Sequence, residues 1–348
     1  MNLNFLKWLM YPAAWLYGLI TRLRNLLYDR RIFASVKMPV PVIAVGNITA
    51  GGTGKTPFVI ALAEFLTGKG FRIAIITRGY HRQTKGQVIV ADGQQILATS
   101  QQAGDEPYMM AQKLSGVVII ADADRVAAAQ TAVDRFACNL IIADDAFQHR
   151  RIDRDLDIVL WDRQAAPKDE ALLPAGRLRE SLCGLKRADF VVFTKSDEIP
   201  ADQQACLQSV NPHLKFFAAP LAITAVCDRS GRAVAPADLA LLNVLAFCGL
   251  GNHMQFEATV RQLNLNLVTF RRFSDHHKYT ESDLRHLVDE ARQMQCPFLI
   301  TTEKDAVNLP KTVQESDKIL ILKIELKLDE KLKAAVLENV PPSSDFIA

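Results

Sequence analysis

The stretch Pro41-Val42-Ile43-Ala44-Val45-Gly46-Asn47-Ile48-Thr49-Ala50-Gly51-Gly52-Thr53-Gly54-Lys55-Thr56 decides how the rest of the chain is read. It is apolar through Val45, rich in glycine from Gly51 to Gly54, and then opens an amphipathic helix. Strand, glycine loop and helix in that order make a phosphate cradle. Gly51, Gly52 and Gly54, with Thr53 among them, let the backbone wrap a polyphosphate with its N–H groups pointing inward. Lys55 is placed to reach the β- and γ-phosphates. Thr56 is placed to ligate Mg²⁺ at a helix N-terminus, where the dipole also favours an anion. One departure is Thr49, which stands where the usual motif begins with Gly.

Outward from that stretch, short β-branched runs alternate with helical ones. Strands are expected at 41–46, 71–77, 117–121, 139–143, 157–161 and 189–194, with helices at 55–68 and 123–136 among them. Such alternation builds a parallel sheet covered on both faces. A second series begins near 243: strand 243–248, helix 253–263, strand 266–270, helix 280–293, strands 297–301 and 318–325, and helix 328–338. The stretch 200–240, rich in Ala, Pro and polar residues, separates the two series, and 315–330 can return to it as a partner strand. The expected fold class is α/β. A P-loop NTPase-like parallel-sheet domain covers 36–225 and a second, smaller α/β domain covers 226–348, behind an N-terminal amphipathic, membrane-associating helix in 1–35.

A phosphate loop needs a carboxylate at a neighbouring strand end. An apolar run ending in Asp occurs at Asp92, Asp122, Asp144 and Asp162, so the pattern alone selects none. Asp144 stands apart because Asp145 follows, and then Phe147-Gln148-His149. Two adjacent acids at a strand's C-terminal end face the crevice that receives phosphates in this architecture. Asp144 is the candidate metal ligand and Asp145 the group that handles water or a proton; the alternative is a solvated strand end.

Other polar clusters carry two readings each. Arg78 in Thr77-Arg78-Gly79-Tyr80 suits a phosphate or acceptor contact, or simply precedes a left-handed turn. Asp105 in Gly104-Asp105-Glu106-Pro107 sits where a helix begins, and the residues alone favour a cap over a catalyst. Phe273-Ser274-Asp275-His276-His277-Lys278-Tyr279 is a proton-transfer unit or a helix-entry loop capped by Asp275. Leu173-Pro174-Ala175-Gly176-Arg177-Leu178-Arg179-Glu180 is an anion contact or ordinary surface. Thr194-Lys195-Ser196-Asp197 resembles the base-reading loop of nucleotide switches, and Thr301-Thr302-Glu303-Lys304-Asp305 ends a strand in charge.

Composition narrows the class. Of 348 residues 49% are apolar and 23% charged, a globular balance that excludes a disordered chain and a polytopic membrane protein. Lys and Arg number 41 against 38 Asp and Glu, a net charge of +3 that does not mark a nucleic-acid binder. Six scattered cysteines without a CxxC read as buried thiols in a reducing compartment, not as a disulfide framework or a zinc site.

The N-terminus is different. Phe5, Trp8, Tyr11, Trp15, Tyr17 and Tyr28 crowd into its first 28 residues. Leu3 to Ile20 would reach ~27 Å as a helix, marginal for a span, and Lys7 and Pro12 interrupt it. Leu16, Leu19, Ile20, Leu23, Leu26 and Leu27 share one helical face, while Arg22, Arg24, Arg30 and Arg31 supply positive charge. That combination describes a helix lying in a membrane interface. The alternatives are a helix docked on the protein's own core and a membrane span.

These pieces, in this order, resemble the tetraacyldisaccharide 4′-kinase family of lipid A biosynthesis. The matching stretches are VGNITAGGTGKTP at 45–57, TRGYHR at 77–82, GDEP at 104–107, DDAFQH at 144–149, LPAGRLRE at 173–180, TKSD at 194–197, FSDHHKY at 273–279 and TEKDAV at 302–307. His253 departs from the pattern, which has Pro after the Asn. The resemblance implies phosphoryl transfer from ATP, with Mg²⁺, to the 4′-hydroxyl of an acylated glucosamine disaccharide 1-phosphate, giving the 1,4′-bisphosphate, lipid IVA. It implies a membrane-facing site between two α/β domains, at the cytoplasmic face of the inner membrane, on a peripheral or monotopic protein. It further implies that Asp105 and His276 act together on the acceptor hydroxyl, and that Asp144 and Asp145 are the Walker-B-like pair. A membrane-docking ATPase or GTPase switch is the competing class. Thr194 to Asp197 favours it, whereas Asp105, His276, His277 and the basic loop 173–180 favour the kinase, because a switch needs only water as nucleophile.

Overall fold

The apolar run before the glycine loop forms strand β1 (Val42–Asn47), with all six residues buried. A strand buried on both faces belongs inside a helix-covered sheet. In the computed structural model, which describes residues 3–51, 53–80, 82–162, 171–249, 253–263, 265–274, 277–310 and 318–340, β1 lies there. The chain divides into two units, Met1–Pro220 with Leu326–Ala348, and Leu221–Glu325.

The first unit opens with helix α1 (Leu3–Asp29) and holds strands β1, β2 (Ile73–Thr77), β3 (Val88–Asp92), β4 (Val118–Ala121), β5 (Leu140–Asp144), β6 (Leu156–Asp162), β7 (Phe190–Thr194) and β8 (Lys215–Ala219). Their order is β3-β4-β2-β5-β1-β6-β7-β8. Neighbours run parallel except β3, which is antiparallel to β4. The chain moves outward from β1 to β2 and β4, returns to β5, and then crosses to β6. Val45 is in register with Asp144 on one side and Ile158 on the other. Such a reversal opens a crevice at the C-terminal strand ends.

Helices α2 (Lys55–Thr67), α3 (Ser100–Ala103), α4 (Asp105–Lys113), α5 (Arg125–Phe136) and α6 (Ala201–Val210) connect these strands. Helix α2 buries Phe58, Leu62 and Leu66, one helical face. Helix α5 is capped by Asp124, which accepts from Val126 and Ala127 N–H, and packs Ala128, Ala129 and Ala132 on Ala44, Ile76 and Ile141.

Helix α1 shows two faces. Ala14, Gly18 and Thr21 are buried against the unit, and a Cβ at Gly18 would come within 2.6 Å of Leu172. Trp15, Leu16, Leu19, Ile20, Leu23 and Leu26 are exposed, Trp15 to 71%. The apolar stripe expected from the sequence thus points away from the core, and small residues make the docking face. No helix of the described residues is long and apolar enough to cross a membrane.

The second unit contains β9 (Leu221–Cys227), β10 (Ala233–Val234), α7 (Pro236–Leu239), β11 (Asn243–Cys248), α8 (His253–Gln262), β12 (Asn266–Arg272), α9 (Glu281–Gln293), β13 (Phe298–Thr302), α10 (Glu303–Val307) and β14 (Ile319–Leu326). Its sheet order is β10-β9-β14-β13-β11-β12, with β11 to β14 parallel along the run. Leu284, Leu287, Val288 and Ala291 recur at helical spacing and seat α9 on the sheet. Helix α11 (Glu330–Asn339) falls in the first unit, although 326–348 read as part of the second domain from sequence. The cause is that the chain leaves β14 beside its own entry point, where Lys327 N–H donates to Pro220 O at 2.9 Å. Strands β8 and β9, together with α6, occupy a stretch whose Ala-rich, polar composition reads as a boundary.

Candidate active site

The glycine loop leaves β1 at its crevice end. Gly54 caps α2 at φ 76° and Gly51 sits at φ 127°, both left-handed conformations that a side chain would strain. Thr49 needs no such freedom. It bridges Leu178 in extended pairing, with Ala50 N–H donating to Arg177 O at 2.6 Å and Arg179 N–H to Ile48 O at 2.8 Å. The first limb of the loop is therefore zipped onto segment 177–179. Its second limb is braced by Thr194, whose hydroxyl donates to Thr53 O at 2.7 Å. That contact accounts for Thr194 and gives the Thr194–Asp197 loop a bracing role. Lys195 adopts φ 60° there, and burial lowers its ammonium pKa against the opposing charge of Asp162. Gly52 lies outside the described residues.

Lys55 donates to Asn47 Oδ1 at 3.3 Å and pairs with Asp145 at 3.5 Å. Asp145, at φ 48°, also receives Arg179 Nη1 on both oxygens, at 2.8 and 3.0 Å. Burial pushes the Asp145 carboxyl up, but Lys55 and Arg179 outweigh it and hold it below the usual carboxylate range. Asp144 behaves oppositely. Burial first, then the charges of Glu106 and Asp145, push its pKa up to about 7. Its Oδ2 accepts from Thr77 Oγ1 at 2.9 Å, while Oδ1 is buried with no partner among the described residues.

That orphaned oxygen is the observation against which a metal is tested. Thr56 is buried at the start of the same loop–helix junction, and the Thr53 hydroxyl is buried with no partner among the described residues. A Mg²⁺ ion held through one hydroxyl, one carboxylate and phosphate oxygens needs no larger protein cage. Among the described residues no group of three His, Cys, Asp or Glu side chains could hold a metal by itself, and a site of this type does not call for one. Thr56 and Asp144 fit it.

Behind the acids, Arg125 is buried and donates to Asp122 O at 2.7 Å and Asp144 O at 3.4 Å; burial lowers its pKa, partly offset by Asp144 and Asp145. His149 is driven down to about 4 by burial and by the charges of Arg125 and Arg154, so its ring is neutral at pH 7. Sequence reasoning assigned Arg125 no role, because nothing around it forms a motif. Arg179 was legible only as part of a basic loop.

On the far side of β5, Gly79 and Gly104 allow two loops to touch. A Cβ on Gly79 would lie 2.6 Å from Ala103 O, and one on Gly104 2.7 Å from Tyr80 O. This contact brings the start of α4 toward Asp144, as the effect of Glu106 on Asp144 records. Asp105 is the first residue of α4, exposed, and it does not cap the helix. The cap position is Gly104 at φ 95°, without a side-chain bond. The preference for a capping Asp105 is corrected by that backbone conformation, which requires glycine.

In the second unit the sequence-predicted cluster divides. Asp275 and His276 lie outside the described residues. Helix α9 is capped by Thr280, in a box with Asp283. His277 Nε2 lies 3.1 Å from Asp283 Oδ2. Asp305 is structural: Oδ1 accepts from Gly249 N–H at 2.9 Å and Tyr279 O–H at 3.0 Å, and Oδ2 from Thr302 O–H at 2.7 Å. It ties the end of β11 to the loop before α9.

A phosphate cradle, a lysine and an acid with one unpaired oxygen among the described residues thus meet at one strand edge. The family model described as tetraacyldisaccharide-1-P 4′-kinase matches residues 6–341. The chain belongs to that family. A tetraacyldisaccharide 4′-kinase of Chlorobaculum parvum is 40% identical over 306 residues, 86% of this chain and 83% of that one. One from Chlorobium phaeovibrioides is 37% identical over 346 residues, 95% and 97% of the two chains. The crystal structure of an LpxK from Aquifex aeolicus in complex with ATP superposes with a TM-score of 0.74 at 31% identity, covering 97% of this chain and all of that one. Membership in the family makes the chain an ATP-dependent kinase of lipid A biosynthesis.

Proposed function

We propose that the chain transfers the γ-phosphate of ATP to the 4′-hydroxyl of tetraacyldisaccharide 1-phosphate, giving the 1,4′-bisphosphate, at the cytoplasmic face of the inner membrane. The observation that carries the mechanism is the asymmetry of the acid pair. Asp145 is spent on Lys55 and Arg179, whereas Asp144 keeps one buried oxygen without a partner among the described residues. Thr56 and Asp144 would hold Mg²⁺, which neutralises phosphate charge as it develops. The N–H groups from Gly51 to Thr56 cradle the phosphates, and Lys55 meets the γ-phosphate. Asp145 fixes the distance between Lys55 and Arg179, so two positive charges are set before substrate arrives.

The acceptor is an alcohol, which needs a positioned base at neutral pH. Asp105 suits that task, being exposed at the head of α4 with no side-chain hydrogen bond among the described residues. His276 is its proposed partner, as the family resemblance implies. The apolar face of α1 is proposed to lie in the bilayer interface, because an acylated substrate stays in the membrane. Its exposed Trp15 and Leu residues and its neighbouring arginines suit that setting.

The deciding experiment is mass spectrometry of products from wild-type protein, ATP and tetraacyldisaccharide 1-phosphate in mixed micelles. One added phosphate at the 4′ position is expected, with little ATP hydrolysis when the lipid is omitted. Equal ATP turnover with and without lipid would refute the assignment.

A further inference from the structure

Helix α1 touches more than the surface of its unit. Tyr17 O–H donates to the backbone oxygen of Arg179 at 2.6 Å. Two turns on, Asn25 Nδ2 donates to Glu180 Oε2 at 2.8 Å. The two acceptors are consecutive residues, and each leads directly into the phosphate site. Arg179 grips both oxygens of Asp145, which pairs with Lys55. Glu180, 1% exposed, also accepts from Gln148 Nε2 at 3.0 Å, and the same Gln148 amide donates to Asn47 O at 3.0 Å. Arg187 spans both oxygens of Glu180, donating from Nη1 to Oε2 at 2.9 Å and from Nη2 to Oε1 at 2.5 Å. The backbone of 177–179 meanwhile pairs with the first limb of the glycine loop. Segment 177–180 is thus clamped between α1 and the loop, with two hydrogen bonds to each.

An anchor for a membrane would need only the outer face of α1. On the described inner face, Tyr17 and Asn25 both reach the segment that sets Asp145 and Lys55. We propose that Tyr17 and Asn25 are positioning residues: the seating of α1 on residues 179 and 180 holds Arg179 and Glu180 in register with the phosphate loop, so turnover depends on this seating independently of membrane binding. The inference rests on the kinase reading above.

The test uses full-length protein with ATP and tetraacyldisaccharide 1-phosphate, in detergent mixed micelles and in phosphatidylethanolamine–phosphatidylglycerol vesicles. For Tyr17→Phe with Asn25→Ala, kcat should fall about tenfold in micelles, where no bilayer has to be found, with KM for both substrates within about twofold of wild type. Flotation with the vesicles should match wild type. Leu19→Ser with Leu23→Ser, on the outer face, should show the converse, losing flotation and raising KM for vesicle-borne lipid. Wild-type kcat in the inner-face double variant would overturn the proposal. A loss seen only on vesicles, in step with lost flotation, would overturn it as well, because α1 would then act as an anchor alone. If the double variant does not fold, Tyr17→Phe alone decides by the same measure, since it removes one hydroxyl and no packing. Failure of wild-type protein to phosphorylate the lipid would instead refute the kinase reading, before any variant is compared.

Discussion

Each of the two units carries a buried acid where a parallel strand gives out: Asp144 is the last residue of β5, and Asp305 lies in α10, three residues past the end of β13. Asp144 and Asp305 are both 2% exposed. Asp305 has both oxygens occupied, by Gly249, Tyr279 and Thr302. Asp144 has one oxygen on Thr77 and the other on nothing within the described residues. A buried carboxylate left half-satisfied costs stability, and a fold tolerates it where something else completes the shell. A buried acid beyond the apolar part of a strand is therefore a brace in one unit and a candidate ligand site in the other. What separates them is the supply of donors, which no local pattern records.

The comparison can be broken most severely at the lysine that shares the Asp144 edge. Lys55→Ala should lower kcat by roughly 10³-fold with an unchanged melting profile. Wild-type turnover would remove the phosphate loop from the reaction. Next in size, Asp105→Ala and His276→Ala should each cost roughly 10²-fold, the low end for a lost general base, and the double variant little more than the worse single one. Losses that multiply in steady-state assays would show that the two act separately.

The two acids themselves should then part in a stability measurement. Asp305→Ala strips acceptors from three donors and should cost on the order of 3 kcal/mol by denaturant titration. Asp144→Asn should abolish most activity yet leave the metal-free protein as stable or more so. The sign follows from linkage. The folded Asp144 carboxyl sits near 7, above its unfolded value of 3.8, so the folded state binds the extra proton. Metal-free wild-type protein should lose stability as pH rises from about 4 to 7, and Asp144→Asn should lack that loss. Equal pH profiles of melting would contradict the assignment. Smallest of all, Thr194→Val removes one brace from the glycine loop and should raise KM for ATP about fivefold with little change in kcat.

Much of the first sheet was legible because its signals are local. Strand, glycine loop and helix are contiguous, and Asp144 with Asp145 stands at the end of a wholly apolar run. The roles of Arg179, Thr194 and Glu180 were not. Their partners Asp145, Thr53 and Asn25 lie 34, 141 and 155 residues away, and only the topology joins them. Strand β9 escaped because most of it is only partly buried, which weakens the hydrophobic signal. Residues 326–348 were misplaced for a related reason: a chain that returns to its starting unit leaves no mark in composition. Taken alone, the residues around Asp105 favour a cap because Gly104, which takes the cap position, offers no side chain to recognise; only the family resemblance points to the acceptor instead.

The outward face of α1 also governs how the protein behaves on the bench. Six large apolar side chains between Trp15 and Leu26 stand in water on one side of a single helix. Away from lipid, such a patch buries itself by self-association or by collecting detergent. Apparent molecular mass in solution should therefore follow detergent concentration, and light scattering of detergent-free samples should rise with protein concentration. A variant carrying Leu19→Ser and Leu23→Ser should stay monodisperse under the same conditions.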